Sequence, residues 1–278
     1  MARPEVESER GERFAFGANW SLFLQSLNEQ RIQRAEASLA EMLGVQDLNG
    51  MRFLDVGSGS GLFSLAARRL GATVHSFDYD LQSVSCTAEL KRRYFPDDTN
   101  WVVEQGSALD NDYLQQLGQW DLVYSWGVLH HTGDMWQALD NVIRLTAPAG
   151  QLYIAIYNDQ GRASQRWAWI KRNYNESPWL RPLLLTYGLA RTWGKTILSD
   201  ALHLSPFASW RRYHQERGMS PWRDVVDWVG GWPFEVATPE DIFCFYRDRG
   251  FSLKNLVTRQ GRGCNEFLFD AAKPCPNA

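Results

Sequence analysis

The sequence predicts an α/β protein built on a doubly wound, mainly parallel sheet of seven strands that ends in an antiparallel hairpin. Three observations predict it. Short apolar runs alternate with apolar residues at helical spacing between residues 52 and 157, the signature of strand–helix–strand units that bury a parallel sheet under helices on both faces. A glycine-rich turn, Gly57-Ser58-Gly59-Ser60-Gly61, follows the first of these runs. Two further strand-like runs close the chain around a glycine-bearing loop, so they pair antiparallel at the sheet edge.

Each element has its own signal. Ser26-Leu27-Asn28-Glu29 has capping-box spacing, and Ile32, Ala35, Leu39, Met42 and Leu43 then follow one helical face, so residues 14–48 read as a helical cap over the top of the sheet. Residues 52–56 form an apolar strand. A helix over 62–70 follows, closed by Gly71 as the residue just past its end. Residues 73–78 make a second strand and 83–94 a second helix, stopped before Pro96. Residues 101–104 and 121–125 read as the third and fourth strands. Apolar positions 135, 136, 139, 142, 143 and 145 then mark a helix. Pro148-Ala149-Gly150 reads as a turn before a fifth strand over 151–157. Thr238-Pro239-Glu240-Asp241 starts the last helix, with Thr as N-cap, Pro at the first helical position and acids in the first turn. Strands over 251–258 and 264–269 follow. Four segments result: an N-terminal arm and cap (1–48), a core (49–158), a helical insert (159–235), and a final helix with hairpin completing the core (236–278).

Composition narrows the class. With 278 residues, 44% apolar and 22% charged, the chain supports a sizeable core and is not disordered. A signal peptide and a membrane span are not expected, because the N-terminus is charged and no apolar run is long enough. Cys86, Cys244, Cys264 and Cys275 form no CxxC pair, which fits a reduced cytoplasm rather than a disulfide framework. A net charge of −3 gives no electrostatic case for nucleic acid. Charge is nonetheless segregated. Residues 51–158 carry 7 basic against 12 acidic side chains, whereas residues 160–235 carry 11 against 6 and eight of the 13 tryptophans.

The chemistry centres on Asp55-Val56-Gly57-Ser58-Gly59-Ser60-Gly61, where the first strand meets the first helix. Glycines allow a tight turn and close approach to the main chain, and the helix beyond offers unpaired N–H groups. A dinucleotide fingerprint needs glycine at 62, where Leu62 stands; the pattern here is D-x-G-x-G-x-G. The second strand ends in Asp78, 23 residues after Asp55 and placed to accept bonds from both hydroxyls of a ribose. Asp80 reads as a turn or N-cap residue. Gly106-Ser107-Ala108 follows the third strand, Ser125-Trp126-Gly127-Val128-Leu129-His130-His131 the fourth, and Leu145-Thr146-Ala147-Pro148-Ala149-Gly150 leads into the fifth.

These ordered segments, over roughly residues 50–158, resemble the motifs of class I S-adenosylmethionine-dependent methyltransferases, of the small-molecule type similar to ubiquinone-pathway O-methyltransferases. The resemblance implies a Rossmann-like core, S-adenosyl-L-methionine as cofactor and S-adenosyl-L-homocysteine as product. It places Asp55, Gly57, Ser58, Gly59 and Gly61 at the methionine half, Asp78 and Tyr79 at the ribose, and Ser107 and Ala108 at the adenine edge. Ser125 and Trp126 complete the cofactor set. Ser107 stands where relatives often carry an acid. Some relatives hold a divalent metal with carboxylates at the positions of Gly127 and His130; this chain has neither, so no metal is expected. Ser125-Trp126-Gly127 also lacks the Asn/Asp-Pro-Pro-aromatic segment of nucleic-acid amino-methyltransferases, which argues against base methylation.

The implied reaction is methyl transfer to a small molecule, most readily a hydroxyl, with the acceptor held in line behind the methyl group. A hydroxyl must lose its proton, and histidine suits that task. His131 is the first choice for the base and His130 the second, both just past a central strand's carboxyl end, with Asp159 able to orient an imidazole. Transfer to sulfur, nitrogen or carbon uses the same cofactor half. The alternatives are a nicotinamide-dependent oxidoreductase, disfavoured by Leu62 and the hairpin, and a non-catalytic module that binds the cofactor. The Trp- and Arg-rich insert reads as an acceptor lid, as a peripheral membrane-surface element, or as packing of a larger cap. Trp20, Tyr157, Trp228 and Trp232 are the candidate acceptor-binding residues, with Gly230-Gly231 as a hinge and the segment from Phe16 to Trp20 closing over the cofactor. Tyr157, Asn158, Asn265 and Glu266 are further rim positions. The oligomeric state is open.

Overall fold

The architecture was read from a computed structural model that describes residues 14, 17–203, 205, 207–217 and 220–272. Its centre is a seven-stranded sheet in the order β3-β2-β1-β4-β5-β7-β6. The strands are β1 (Arg52–Val56), β2 (Thr73–Asp78), β3 (Trp101–Gln105), β4 (Trp120–Trp126), β5 (Thr146–Tyr157), β6 (Ser252–Val257) and β7 (Cys264–Asp270). Neighbouring strands from β3 across to β5 pair parallel. Only β7 runs the other way, antiparallel to both β5 and β6. The expected doubly wound sheet with a terminal hairpin is what forms, with β7 inserted between β5 and β6.

Helices cover both faces: α1 (Gly17–Ser26), α2 (Glu29–Leu43), α3 (Leu62–Arg69), α4 (Leu81–Tyr94), α5 (Asn111–Leu117), α6 (Met135–Leu145) and α11 (Pro239–Arg247). Two apolar clusters, one on each face, share the alternating strand side chains. Leu54, Val123, Ile154 and Phe267 pack with α6 and α11 residues. Phe53, Tyr124, Tyr153 and Leu268 pack with the α2 stripe of Ile32, Leu39, Met42 and Leu43. Between β5 and α11 stand α7 (Arg162–Glu176), α8 (Arg181–Leu202), α9 (Ala208–Arg217) and α10 (Pro221–Gly230), which gather a small core of their own from Trp167, Ile170, Leu184, Val225 and Val229. No helix among the described residues is long and apolar enough to cross a membrane.

Several local expectations need correction. The capping box at Ser26 does not form. Ser26 ends α1 with its hydroxyl donating to the Phe23 carbonyl, and extended Asn28 is the N-cap of α2, accepting from the Arg31 N–H. An Asx side chain two residues later satisfied the exposed amide first. The turn over 148–150 lies within β5, whose pairing with β4 shifts between Trp120 and Leu122. Helix α4 starts at Leu81, because Asp80 caps it through the Gln82 N–H. Helix α5, between β3 and β4, was not foreseen, although Asp110 caps it and Gly118 closes it; one buried residue, Leu114, is too little for a periodic pattern. The last helix begins as expected, with a complete capping box between Thr238 and Asp241.

Candidate active site

The direction of winding reverses between β1 and β4, and open α/β sheets bind ligands outside the carboxyl ends of strands at such a reversal. The glycine turn leaves β1 at that point. Gly57, Gly59 and Gly61 all adopt left-handed backbone angles, with φ of 82, 55 and 78°, which side chains disfavour. The space around them differs from one glycine to the next. A Cβ on Gly57 would lie 2.4 Å from Val128 Cγ1, and one on Gly61 2.8 Å from the Thr87 backbone. Those two glycines therefore let the loop pack against the segment after β4 and against α4. At Gly59 the neighbour is the indole of Trp20, 3.2 Å from the same construction.

Asp78 ties the turn down. Its Oδ2 accepts from the Gly59 N–H at 2.9 Å and its Oδ1 from the Asp80 N–H at 2.9 Å. Desolvation pushes its carboxyl up to about 6, against those backbone bonds. Asp55 lies below the turn, 2% exposed. Its Oδ2 accepts from the Ser64 hydroxyl at 2.5 Å; Ser64 meets Ser76 at 2.7 Å, and the Trp101 indole N–H donates to Ser76 at 2.9 Å. Burial, with a smaller contribution from Asp78, pushes Asp55 up to about 7 despite the Ser64 bond. Ser58 shares a 2.9 Å hydroxyl contact with Thr87.

The remaining cofactor candidates divide. Tyr79 is exposed beside Asp78 and its carbonyl accepts from Gln105. Ser107 folds its hydroxyl onto the Leu109 N–H at 3.2 Å, while the Ala108 carbonyl accepts from buried Asn141 at 2.8 Å. The Ser125 hydroxyl is buried, donating to the Val56 carbonyl at 2.9 Å, so it ties β4 to β1; Trp126 stands exposed at the rim.

The two histidines sit on a single 3-10 turn, Leu129–His131, and face different partners. His131 Nδ1–H donates to the Pro233 carbonyl at 2.5 Å. A backbone acceptor on one ring nitrogen fixes the tautomer and leaves the lone pair on Nε2. His130 is fully buried, its ring 3.9 Å from that of Tyr157, and its Nδ1 accepts from the Tyr157 N–H at 3.3 Å. Burial holds His130 well below the usual histidine range, with His131 and Lys171 adding to the effect. Tyr157 also contacts Trp228 and Phe234 at 5.7 and 5.4 Å. The structure thus brings His130, His131, Tyr157 and Trp228 together.

Asp159 makes a local turn instead, accepting from the Gly161 N–H at 2.9 Å before α7. Trp232 presents its carbonyl to the Phe14 N–H at 2.9 Å. The Phe14 ring occupies the space a Cβ on Gly230 would need, at 2.3 Å, so Gly230 serves close packing. Phe16 lies outside the described residues. Asn265 donates to the Asn158 side chain at 3.1 Å on the rim, whereas Glu266 accepts the Tyr153 hydroxyl at 2.6 Å, between β5 and β7. Sequence reasoning missed Pro233, Phe234 and Lys171, which meet the site only through long-range packing, and no spacing signal pointed to them. Among the described residues no group of three or more His, Cys, Asp or Glu side chains is arranged to hold a metal.

Comparison with known proteins agrees with this geometry. A family model described as "Methyltransferase domain" matches residues 27–186. Ubiquinone biosynthesis O-methyltransferase of Xanthomonas oryzae pv. oryzae (strain PXO99A) is 30% identical over 135 residues, covering 49% of this chain and 52% of that protein. Ribosomal protein L11 methyltransferase of Methylococcus capsulatus is 40% identical over 73 residues, 26% of this chain and 25% of that one. The chain spans about half the length of the curated ubiquinone-pathway relatives from Xanthomonas that it matches. Among solved structures, magnesium protoporphyrin IX methyltransferase from Synechocystis PCC 6803, with bound SAH, superposes with a TM-score of 0.52 at 16% identity, over 87% of this chain and 83% of that one. The cyclase SpnF gives 0.52 at 12% identity, over 87% and 82%; at such identities these likenesses show the fold alone. By its motifs, its sheet order and the matched domain, the chain belongs to the class I S-adenosylmethionine-dependent methyltransferase family.

Proposed function

We propose that the protein transfers a methyl group from S-adenosyl-L-methionine to an oxygen of a small molecule, with His131 as the base. The carrying observation is the clasp between the Gly59 N–H and Asp78 at the carboxyl ends of β1 and β2. The residues present fit the cofactor. Asp78 stands at the end of the second strand, where its carboxylate would accept from the ribose hydroxyls. Asp55, pushed up to about 7 by burial, is a carboxyl that a nearby ammonium would ionise. Tyr79 and the Ala108 amide would meet the adenosine. Bound there, the sulfonium supplies an electrophilic methyl group.

The protein's part is positioning and proton removal. Trp20 lies over Gly59 and shields the loop from water. His131, held by the Pro233 carbonyl, presents Nε2 as the lone-pair nitrogen that takes a hydroxyl proton. His130, buried and neutral, supports the Tyr157 backbone. A thiol acceptor, partly thiolate at neutral pH, needs little help from such a base, and the fold carries other chemistry in the cyclase SpnF, so turnover must be measured. Isothermal titration with S-adenosylhomocysteine, NAD and NADP, followed by product identification from labelled methyl incorporation in small-molecule extracts, tests the reading. Uptake of S-adenosylhomocysteine and a labelled small-molecule ether or ester are expected. Binding of NAD alone would overturn it.

A further inference from the structure

A lysine is buried where the helical insert meets the sheet. Lys171 on α7 is 1% exposed. Its Nζ donates to the Trp228 carbonyl near the end of α10 and lies 4.4 Å from the Trp228 ring and 4.8 Å from that of Phe234. The exposed Arg262 guanidinium stands 5.5 Å from the same Trp228 ring. A helix C-terminus and two ring faces favour a cation, and Asp227 attracts it, yet burial still pulls Lys171 down to about 7.

Two buried donors beside Lys171 lack an acceptor. His130 takes the Tyr157 N–H on Nδ1, so its proton is on Nε2. That Nε2 and the Trp228 Nε1 are both buried and both lack a hydrogen-bond partner. Tyr157 links them, with its ring 3.9 Å from His130 and 5.7 Å from Trp228. A buried N–H left unpaired is costly, and native proteins rarely tolerate two in one ring stack. A structural cap for α10 would account for Lys171 but not for either orphan.

We propose that this cluster anchors the methyl acceptor, an aromatic or similarly flat molecule whose carboxylate is received by Lys171, the Trp228 Nε1–H and the His130 Nε2–H, with Arg262 at the outer side. A carboxylate is an acceptor-only group with enough lone pairs for all three, and the surrounding rings suit a flat apolar body. The anchor lies beside His131, so a hydroxyl elsewhere on such a molecule comes to the base. The assignment rests on the methyltransferase reading only in calling the ligand the acceptor.

The test is a binding comparison on the full chain saturated with S-adenosylhomocysteine, repeated without it. Benzoate, naphthoate and protocatechuate are each titrated against the corresponding carboxamide, with tryptophan fluorescence and calorimetry as readouts. At least one acid is expected to bind about tenfold more tightly than its amide, the worth of one charge-assisted contact. Lys171→Met should cut that ratio severalfold, and Arg262→Gln should lower it by about twofold through lost long-range attraction, while affinity for S-adenosylhomocysteine stays unchanged in both. A purely structural lysine would not distinguish acid from amide. Equal affinities for all three pairs in the wild type, or an undiminished ratio in Lys171→Met, overturns the proposal; should that variant not fold, the wild-type ratio and Arg262→Gln decide. Failure to bind S-adenosylhomocysteine with the acid preference intact would sink the methyltransferase reading and leave the anion site standing.

Discussion

With Asp55 proposed to meet the ammonium of the cofactor, its burial sets stability against binding, and the conflict can be read from a pH series. Its carboxyl is 2% exposed and is pushed from 3.8 to about 7, chiefly by desolvation. Between those values the native state keeps a proton that the unfolded chain has released. The native state then binds more protons, so stability falls as pH rises through this window and the loss is complete above about 7. At 1.36 kcal/mol per pH unit the ceiling is about 4 kcal/mol, and relaxation around the charge brings it to about 2–3 kcal/mol. Asp55→Asn removes the titration and keeps an oxygen for the Ser64 hydroxyl. Any fixed cost of the buried amide cancels when each protein is compared with itself at two pH values. Melting of both apo proteins at pH 5 and pH 8 samples about three-fifths of that window and should show the wild type losing about 2–7 °C more than the variant, at about 2–4 °C per kcal/mol for a chain of this size. Saturating S-adenosylhomocysteine at pH 8 should then raise the wild type's Tm more than the variant's, because its ammonium stabilises the ionised carboxyl. Parallel pH dependence of the two apo proteins refutes the reasoning about Asp55.

Further outcomes follow from the same geometry. His131→Ala should lower kcat by about 10²–10⁴-fold with a hydroxyl acceptor, whereas His130→Ala should raise KM for the acceptor and destabilise the fold by about 2 kcal/mol, through loss of its ring packing on Tyr157; equal kcat losses without a stability difference would contradict the division of roles. Gly57→Ala places a Cβ 2.4 Å from Val128 at a φ of 82°, so denaturant melts should show a loss of about 2–4 kcal/mol, partly recovered by adding Val128→Ala. Thr238→Ala breaks the capping box with Asp241 and should cost about 1 kcal/mol in the same assay with no change in S-adenosylhomocysteine affinity.

Much of the architecture was legible because it is written in local, periodic terms. Alternating strand and helix patterns specify crossovers, and the α2 stripe of Ile32, Ala35, Leu39, Met42 and Leu43 is buried as its spacing requires. The turn chemistry was also local: Asp55, three glycines and Asp78 stand at the ends of adjacent strands, and the Asp80 and Thr238 caps act on amides a few residues away. Ser26 misled because two competent capping residues stood two positions apart and only backbone geometry chose between them. Helix α5 escaped because so short a segment buries too little to show a period.

What the amino-acid order determined by itself is the sheet, its winding and the cofactor turn, since each arises from contacts within one strand–helix unit. Tertiary structure decided the surroundings of the two histidines. Pro233 is 102 residues from the His131 it holds, and Trp228 is 57 from Lys171. Burial turned one histidine of an adjacent pair into a neutral support, and brought a lysine and an indole into a ring stack that no spacing rule describes. Charge state and partner there depend on what is excluded from water, and that is a property of the folded chain.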